Sequence, residues 1–196
     1  EIIEVGLQAY GGTQGRPMLN SIALERPDTI DLTLKYNARA VVSAASESGM
    51  PADAAERSEN IGNILEIAFT KGMPREDAFV DPLVFPIAVD SNYGKHFFDA
   101  IEQTRADFGG DVHITGGMSN ISFGIPKRRL INDAFVHLAI EAGADSGIID
   151  PNTTSAERSM NLDLESGPMK LAMELLRGND EYAMNYITAF RAGELD

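Results

Sequence analysis

Thr115-Gly116-Gly117-Met118-Ser119-Asn120-Ile121-Ser122-Phe123-Gly124 is a polar loop bracketed by glycines, fed by an apolar strand from Val112 and followed by a helix. Strand, polar loop and helix in that order are the unit from which helix-covered parallel sheets are built. The unit repeats on both sides. Upstream, Ala78 to Val84 reads as a strand, and Phe97, Phe98, Ile101 and Phe108 mark one side of the helix after it. Further back, Arg39 to Ala45 holds a strand around Ala40-Val41-Val42. A turn at Glu47 to Pro51 follows, and Ile61, Ile64, Leu65, Ala68 and Phe69 form an amphipathic stripe ending at Gly72. Met18 to Ile22 is the first strand, with a brief helix over 29–36 after it and an opening helix over 1–10 before it that Gly11-Gly12 stops. Downstream, Ile131, Ala134, Phe135, Leu138, Ala139 and Ala142 give a helix ended by Gly143. Asp145 to Asp150 is a fifth strand, and Gly167 to Ala192 is mostly helical.

Each strand carries a polar residue at its carboxyl-terminal end: Asn20, Ser43, Asp81, Asn120 and Asp150. In a (β/α)8 barrel that end is the catalytic face, and an open doubly wound sheet also binds ligands outside the carboxyl ends of its strands. Periodicity alone leaves both architectures open. Five strands and an opening helix correspond to the second half of a barrel.

The composition narrows the chemistry. A chain of 196 residues, 43% hydrophobic and 23% charged, suits one α/β domain over 1–196. Without cysteine there is no disulfide framework, thiolate nucleophile or thiolate-bound metal. A net charge of -14 argues against a nucleic-acid partner. No apolar run is long enough to span a membrane and no signal peptide is evident, so a cytoplasmic location is expected. The chain begins without methionine, in mid-pattern, and is expected to be a fragment.

Asp81 stands at the mouth of a buried strand, where an unpaired carboxylate costs several kcal/mol. A ligand with adjacent N–H donors, such as an aminopyrimidine ring, would satisfy it; a loop cap or a lysine partner would do so too. Asn20 is either a turn residue or an amide for a heterocycle edge. Asn120 lies where glycines admit a ligand to the backbone, and either serves a ring nitrogen that changes protonation or makes an Asx turn. Lys127-Arg128-Arg129 sits at a helix start, the wrong end for cations on macrodipole grounds, and is either a solvated turn or a site for a carboxylate tail or an acidic partner. Asp111-Val112-His113-Ile114-Thr115-Gly116 matches the D-x-H-x-x-G pattern of cobalamin-binding domains, but their downstream signatures do not follow, so the match is expected to be a coincidence or His113 a core histidine. His96 and His137 are isolated, and no phosphate-binding loop or serine elbow occurs.

Taken in order, Arg16-Pro17-Met18-Leu19-Asn20-Ser21, Val80-Asp81-Pro82-Leu83-Val84-Phe85-Pro86, Gly116 to Gly124, and Leu130-Ile131-Asn132-Asp133-Ala134-Phe135 resemble the pterin-binding methyltransferases. These are the methyltetrahydrofolate:corrinoid methyltransferases, including the folate-binding module of cobalamin-dependent methionine synthase. The resemblance runs from residue 1 to about residue 152. It implies a TIM barrel, here N-terminally incomplete and covering about strands 4 to 8, with Glu1 to Tyr10 as the helix after the third strand. An aspartate that the family carries on that third strand has no counterpart. The resemblance implies that Asn20 and Asp81 hydrogen-bond the pterin edge and that Asn120 sits near N5. It extends the folate site to Ser122, Arg128 and Asp150. The implied reaction moves a methyl group between N5 of tetrahydrofolate and the cobalt of a corrinoid (cobalamin) held by a partner protein or domain, and the family admits a homodimer. Dihydropteroate synthase is the related alternative, but its Ser-Arg-Lys and Arg-x-His elements are replaced by Ser119-Asn120-Ile121 and Gly147-Ile148-Ile149-Asp150. A non-catalytic folate-binding protein is the alternative from another class.

Overall fold

A computed structural model describes residues 2–11 and 15–195; Glu1 and Gly12, which belong to the expected opening helix and its stop, lie outside them. Helix α1 (Ile2–Tyr10) precedes β1 (Met18–Ile22), α2 (Thr29–Lys35), β2 (Arg39–Ser43), α3 (Ala54–Thr70), β3 (Ala78–Asp81), α4 (Tyr93–Phe108) and β4 (His113–Ile114). The chain continues through a 3-10 turn (Met118–Ser122) into α5 (Arg128–Ala142), α6 (Ala156–Met160), α7 (Gly167–Leu176) and α8 (Met184–Ala192). The four strands form one sheet in the order β1-β2-β3-β4, every pair parallel.

Three strands are shorter than the sequence suggests. β3 stops at Asp81 because Pro82 has no N–H to continue the ladder, so Pro82 to Val84 belongs to the loop. β4 is two residues long, although Thr115 still donates its N–H to the Val80 carbonyl at 2.7 Å. The expected fifth strand is reduced to one parallel bridge, Gly117 with Ile148. There Ile148 donates to the Gly116 carbonyl at 2.9 Å and accepts from Met118 at 3.2 Å. Ser146 also donates to the Ile114 carbonyl at 3.1 Å, so residues 146–148 follow the edge beyond β4 with parallel-type hydrogen bonds but build no continuous strand.

The register sorts the side chains onto two faces. Leu19, Ala40, Val42, Ala78, Val80 and Ile114 share one face and are buried against α3, α4 and α5 through Ile61, Ile64, Leu65, Phe97, Ile101 and Phe135. The other face carries Asn20, Val41, Phe79 and His113 in one row and Ser43 beside Asp81 in the next. On it Met18, Asn20 and Arg39 are exposed and Phe79, Asp81 and His113 half-buried. This face is the more open one, and its upper row leads to the βα loops.

At the amino-terminal ends of the strands, Asp77 joins three elements. Arg16 grips it with both terminal nitrogens, and Arg39 Nε lies 3.9 Å away. His113 Nδ1 meets Asp145 at 2.8 Å and its ring stacks on Phe79, so of the two expectations for this histidine the core position does not hold: it is half-exposed, at the end of the strand away from the loops. Helix α3 begins at Asp53, whose carboxylate accepts the Glu56 N–H at 2.9 Å while Glu56 reaches back to the Ala52 N–H. The carboxyl-terminal helices are anchored by Tyr186, fully buried, whose hydroxyl donates to the Pro126 carbonyl at 3.2 Å; burial pushes that hydroxyl's pKa up.

Gly94, in the first turn of α4, packs against the end of α7. A Cβ there would lie 2.3 Å from the Leu176 carbonyl oxygen, a backbone atom that no rotamer change can move. Gly94→Ala is therefore expected to destabilise the chain by about 2–3 kcal/mol, despite the better helix propensity of alanine, and urea denaturation followed by circular dichroism would measure it.

Candidate functional site

The loops after β2, β3 and β4 converge at the carboxyl-terminal ends of the strands, and each is held there by a specific contact. Asn60 on α3 donates to the Ala44 carbonyl at 2.9 Å, fixing the chain just past β2. Arg57, one turn earlier on the same buried stripe, donates through Nε to the Pro82 carbonyl at 2.9 Å, fixing the chain just past β3. The loop after β4 is tied to its neighbour through Ile87, whose N–H bonds the Ile121 carbonyl at 3.1 Å.

Asp81 is half-buried at the end of β3, and its Oδ1 accepts the N–H of Leu83 at 2.8 Å. Burial pushes its carboxyl up to about 6, and the Leu83 N–H only partly offsets this. No cation or lysine partner stands against it among the described residues. To complete this turn Leu83 takes a φ of +72°, a conformation that costs a branched side chain about 1–2 kcal/mol. Asn20 is exposed in the middle of the edge strand β1, level with Phe79 and one row short of Asp81, so it does not stand at the carboxyl-terminal end expected of it; it borders a cleft of about 340 Å³ between β1 and α1.

Asn120 is exposed in the 3-10 turn, with its carboxamide folded over Gly117, where an added Cβ would lie 3.0 Å from Nδ2. Gly116 is packed equally closely, since a Cβ there would lie 3.1 Å from both Phe97 and Val84. The two glycines thus have different reasons: Gly116 lets the loop sit down on the core, and Gly117 leaves room for the asparagine. Ser122 is fully buried, accepting Arg128 Nε at 3.0 Å and donating to the Ser119 carbonyl at 3.2 Å. Arg128 also donates to the Ser119 carbonyl at 3.1 Å and lies 4.4 Å over the Phe123 ring. Both residues belong to the frame of the loop, which accounts for a cation at a helix start. Arg129 lies 3.8 Å from Asp133 on the next turn of α5. Asp150 is exposed beyond the Gly117 bridge and makes an Asx turn, accepting the Asn152 N–H at 3.0 Å.

No three His, Cys, Asp or Glu side chains among the described residues are grouped so as to hold a metal. No helix of the structure is long and apolar enough to cross a membrane. A cleft of about 510 Å³ beside the loop, bordered by Asp90, Asn92, Gly124 and Tyr182, is lined by none of Asn20, Asp81 and Asn120.

The family described as pterin binding enzyme matches residues 1–150. The chain belongs to that family. A methylcorrinoid:tetrahydrofolate methyltransferase of Eubacterium limosum is 29% identical to it over 155 residues, covering 79% of this chain and 53% of that protein. The chain thus spans about half the length of this curated relative. The pterin-binding match takes in the whole sheet, the 3-10 turn and α5, and ends at Asp150; helices α6 to α8 lie beyond it.

Two residues of this pterin-binding chain escaped the sequence reading, Arg57 and Leu83. Arg57 had a visible signal: it lies four and seven residues before Ile61 and Ile64, on the apolar stripe of α3, where a solvated arginine does not belong. Leu83 had none, because a left-handed leucine cannot be told from any other by sequence.

Proposed function

We propose that this chain carries the pterin site of a methyltransferase that moves a methyl group between N5 of tetrahydrofolate and the cobalt of a corrinoid held by a partner protein. In this reading 1–196 is one domain, an arc of a (β/α)8 barrel covering about strands 4 to 8, working in the cytoplasm. The observation that carries the reading is Asp81 at the carboxyl-terminal end of β3 with Asn120 in the turn that follows the adjacent strand β4, and Asn20 on the same face of the sheet two strands from Asp81, in a chain of the pterin-binding family. The name of the Eubacterium relative supports the choice of reaction.

Asp81 suits the aminopyrimidine end of a pterin, whose adjacent N–H groups both point the same way. Leu83 occupies one of its oxygens, and the rest of its accepting capacity faces the open side of the sheet. Asn20 hydrogen-bonds the same ring edge. Amine nitrogen is a poor leaving group, so N5 must gain a proton or a strong hydrogen bond as its bond to methyl breaks. The carboxamide of Asn120 offers both a donor and an acceptor, and follows that change without becoming charged. Ser122 and Arg128 hold the turn that presents Asn120, while Asp150 lies at the rim, where the folate tail would leave the site. The cobalt supplies or accepts the methyl group when the carrier protein docks at this face.

Titration with methyltetrahydrofolate followed by addition of cob(I)alamin tests the proposal. The expected result is saturable folate binding and a corrinoid spectrum that changes to the methylated form. Binding without transfer would leave a folate-binding protein, and absence of binding would overturn both readings.

A further inference from the structure

Arg57 is the largest of the fully buried side chains, at 0% exposed. Its terminal nitrogens, Nη1 and Nη2, have no hydrogen-bond partner among the described residues. Its charge rests on the Phe85 ring, 4.9 Å from the guanidinium carbon, and on Tyr93 at 6.0 Å. Burial holds its pKa below the usual arginine value. A buried cation without a carboxylate is costly, and an apolar side chain of similar volume would fill the space at lower free energy. Two aromatic faces offset only part of that cost. Packing therefore does not account for an arginine here.

What the arginine touches does account for it. The carbonyl it grips, Pro82 C=O, and the N–H that Asp81 accepts, Leu83 N–H, are the two ends of one peptide unit. A planar peptide held at its oxygen is held at its N–H as well, and a cation at the oxygen polarises the N–H into a better donor. The contact also pins the turn in which Leu83 keeps its left-handed conformation.

We propose that Arg57 is a positioning residue that orients the Asp81 carboxylate through the Pro82–Leu83 peptide. The role of Asp81 in pterin binding rests on the function proposed above; the coupling of Arg57 to Asp81 does not. The other titratable groups near Arg57 are Tyr93 on α4 and, on its own helix and cap, Glu56 and Asp53; none of them bonds to it.

The coupling is tested without folate by carbon-detected NMR titration of the Asp81 carboxyl in the wild type, in Arg57→Met and in Arg57→Lys. Loss of the polarised donor should raise the Asp81 midpoint by about half a pH unit or more in Arg57→Met, with a smaller rise in Arg57→Lys, which keeps a cation for the carbonyl. In Arg57→Met, methyltetrahydrofolate binding at neutral pH should then weaken about tenfold. A midpoint that stays or falls in a folded variant overturns the proposal, because lost packing alone would lower stability without raising it. If Arg57→Met does not fold, the Arg57→Lys midpoint decides in the same way. If the wild type binds no folate, the proposed function fails while the NMR comparison still judges the coupling.

Discussion

Asp81→Asn is expected to weaken folate binding severely and, at the same time, to make the protein more stable. Burial raises the Asp81 carboxyl from 3.8 to about 6, so between those values the folded chain holds a proton that the unfolded chain has released. Stability therefore falls as pH rises through that window and is flat above it. At pH 7 the ionised carboxylate costs the fold roughly 2–3 kcal/mol. Asparagine keeps an oxygen for the Leu83 N–H and carries no charge, so the variant should recover most of that cost in urea denaturation at pH 7. Below about pH 3, where Asp81 is largely protonated in both states, wild type and variant should converge. The same substitution points an amide NH2 at ligand N–H groups and should weaken methyltetrahydrofolate binding about 100-fold or more by calorimetry. A variant that loses binding with no gain in stability would mean that the carboxylate is not held in the desolvated setting described here. One that gains stability and still binds folate would remove Asp81 from the pterin site.

The α/β order of elements was legible because each strand is a short apolar run and each long helix shows a stripe, as in Ile61 to Phe69 and Ile131 to Ala142. Strand lengths were not. The apolar run of β3 continues past Asp81, but the ladder depends on N–H groups and Pro82 supplies none. Ile148 and Ile149 look like a strand, yet the pairing stops at a single bridge, because the chain beyond Gly117, which would continue the edge, turns into the 3-10 turn. Helix α6, five residues from Ala156, is too short for periodicity and declares itself only through the Ser155 cap, which accepts the Arg158 N–H. Among the candidate site residues, position along the chain could place Asp81 and Asn120 at or beyond strand ends, but it set Asn20 there too, although β1 continues to Ile22, and it could not separate ligand-facing groups from framework. Ser122 and Arg128 differ from Asn120 in burial and partners, which depend on how the 3-10 turn folds over Gly117.

That separation gives the largest expected effect on catalysis. Asn120→Ala removes an exposed side chain, so the fold and the pterin contacts proposed for Asp81 and Asn20 should persist. If the carboxamide supports charge building up on N5 only as the methyl group departs, its loss should lower kcat by roughly 100- to 1000-fold. Folate affinity should change by about threefold or less. Gly117→Ala offers an independent check with Asn120 still present. Its methyl group would stand 3.0 Å from Nδ2 and push the carboxamide off its position. A smaller fall in kcat, again with nearly intact binding, should result, because a misplaced donor loses most of its directional strength before it loses its charge distribution. Stopped-flow measurement of methyl transfer beside equilibrium folate titration separates the two quantities. Equal losses in kcat and affinity for Asn120→Ala would assign the residue to ground-state binding and leave N5 without a protein partner from this loop.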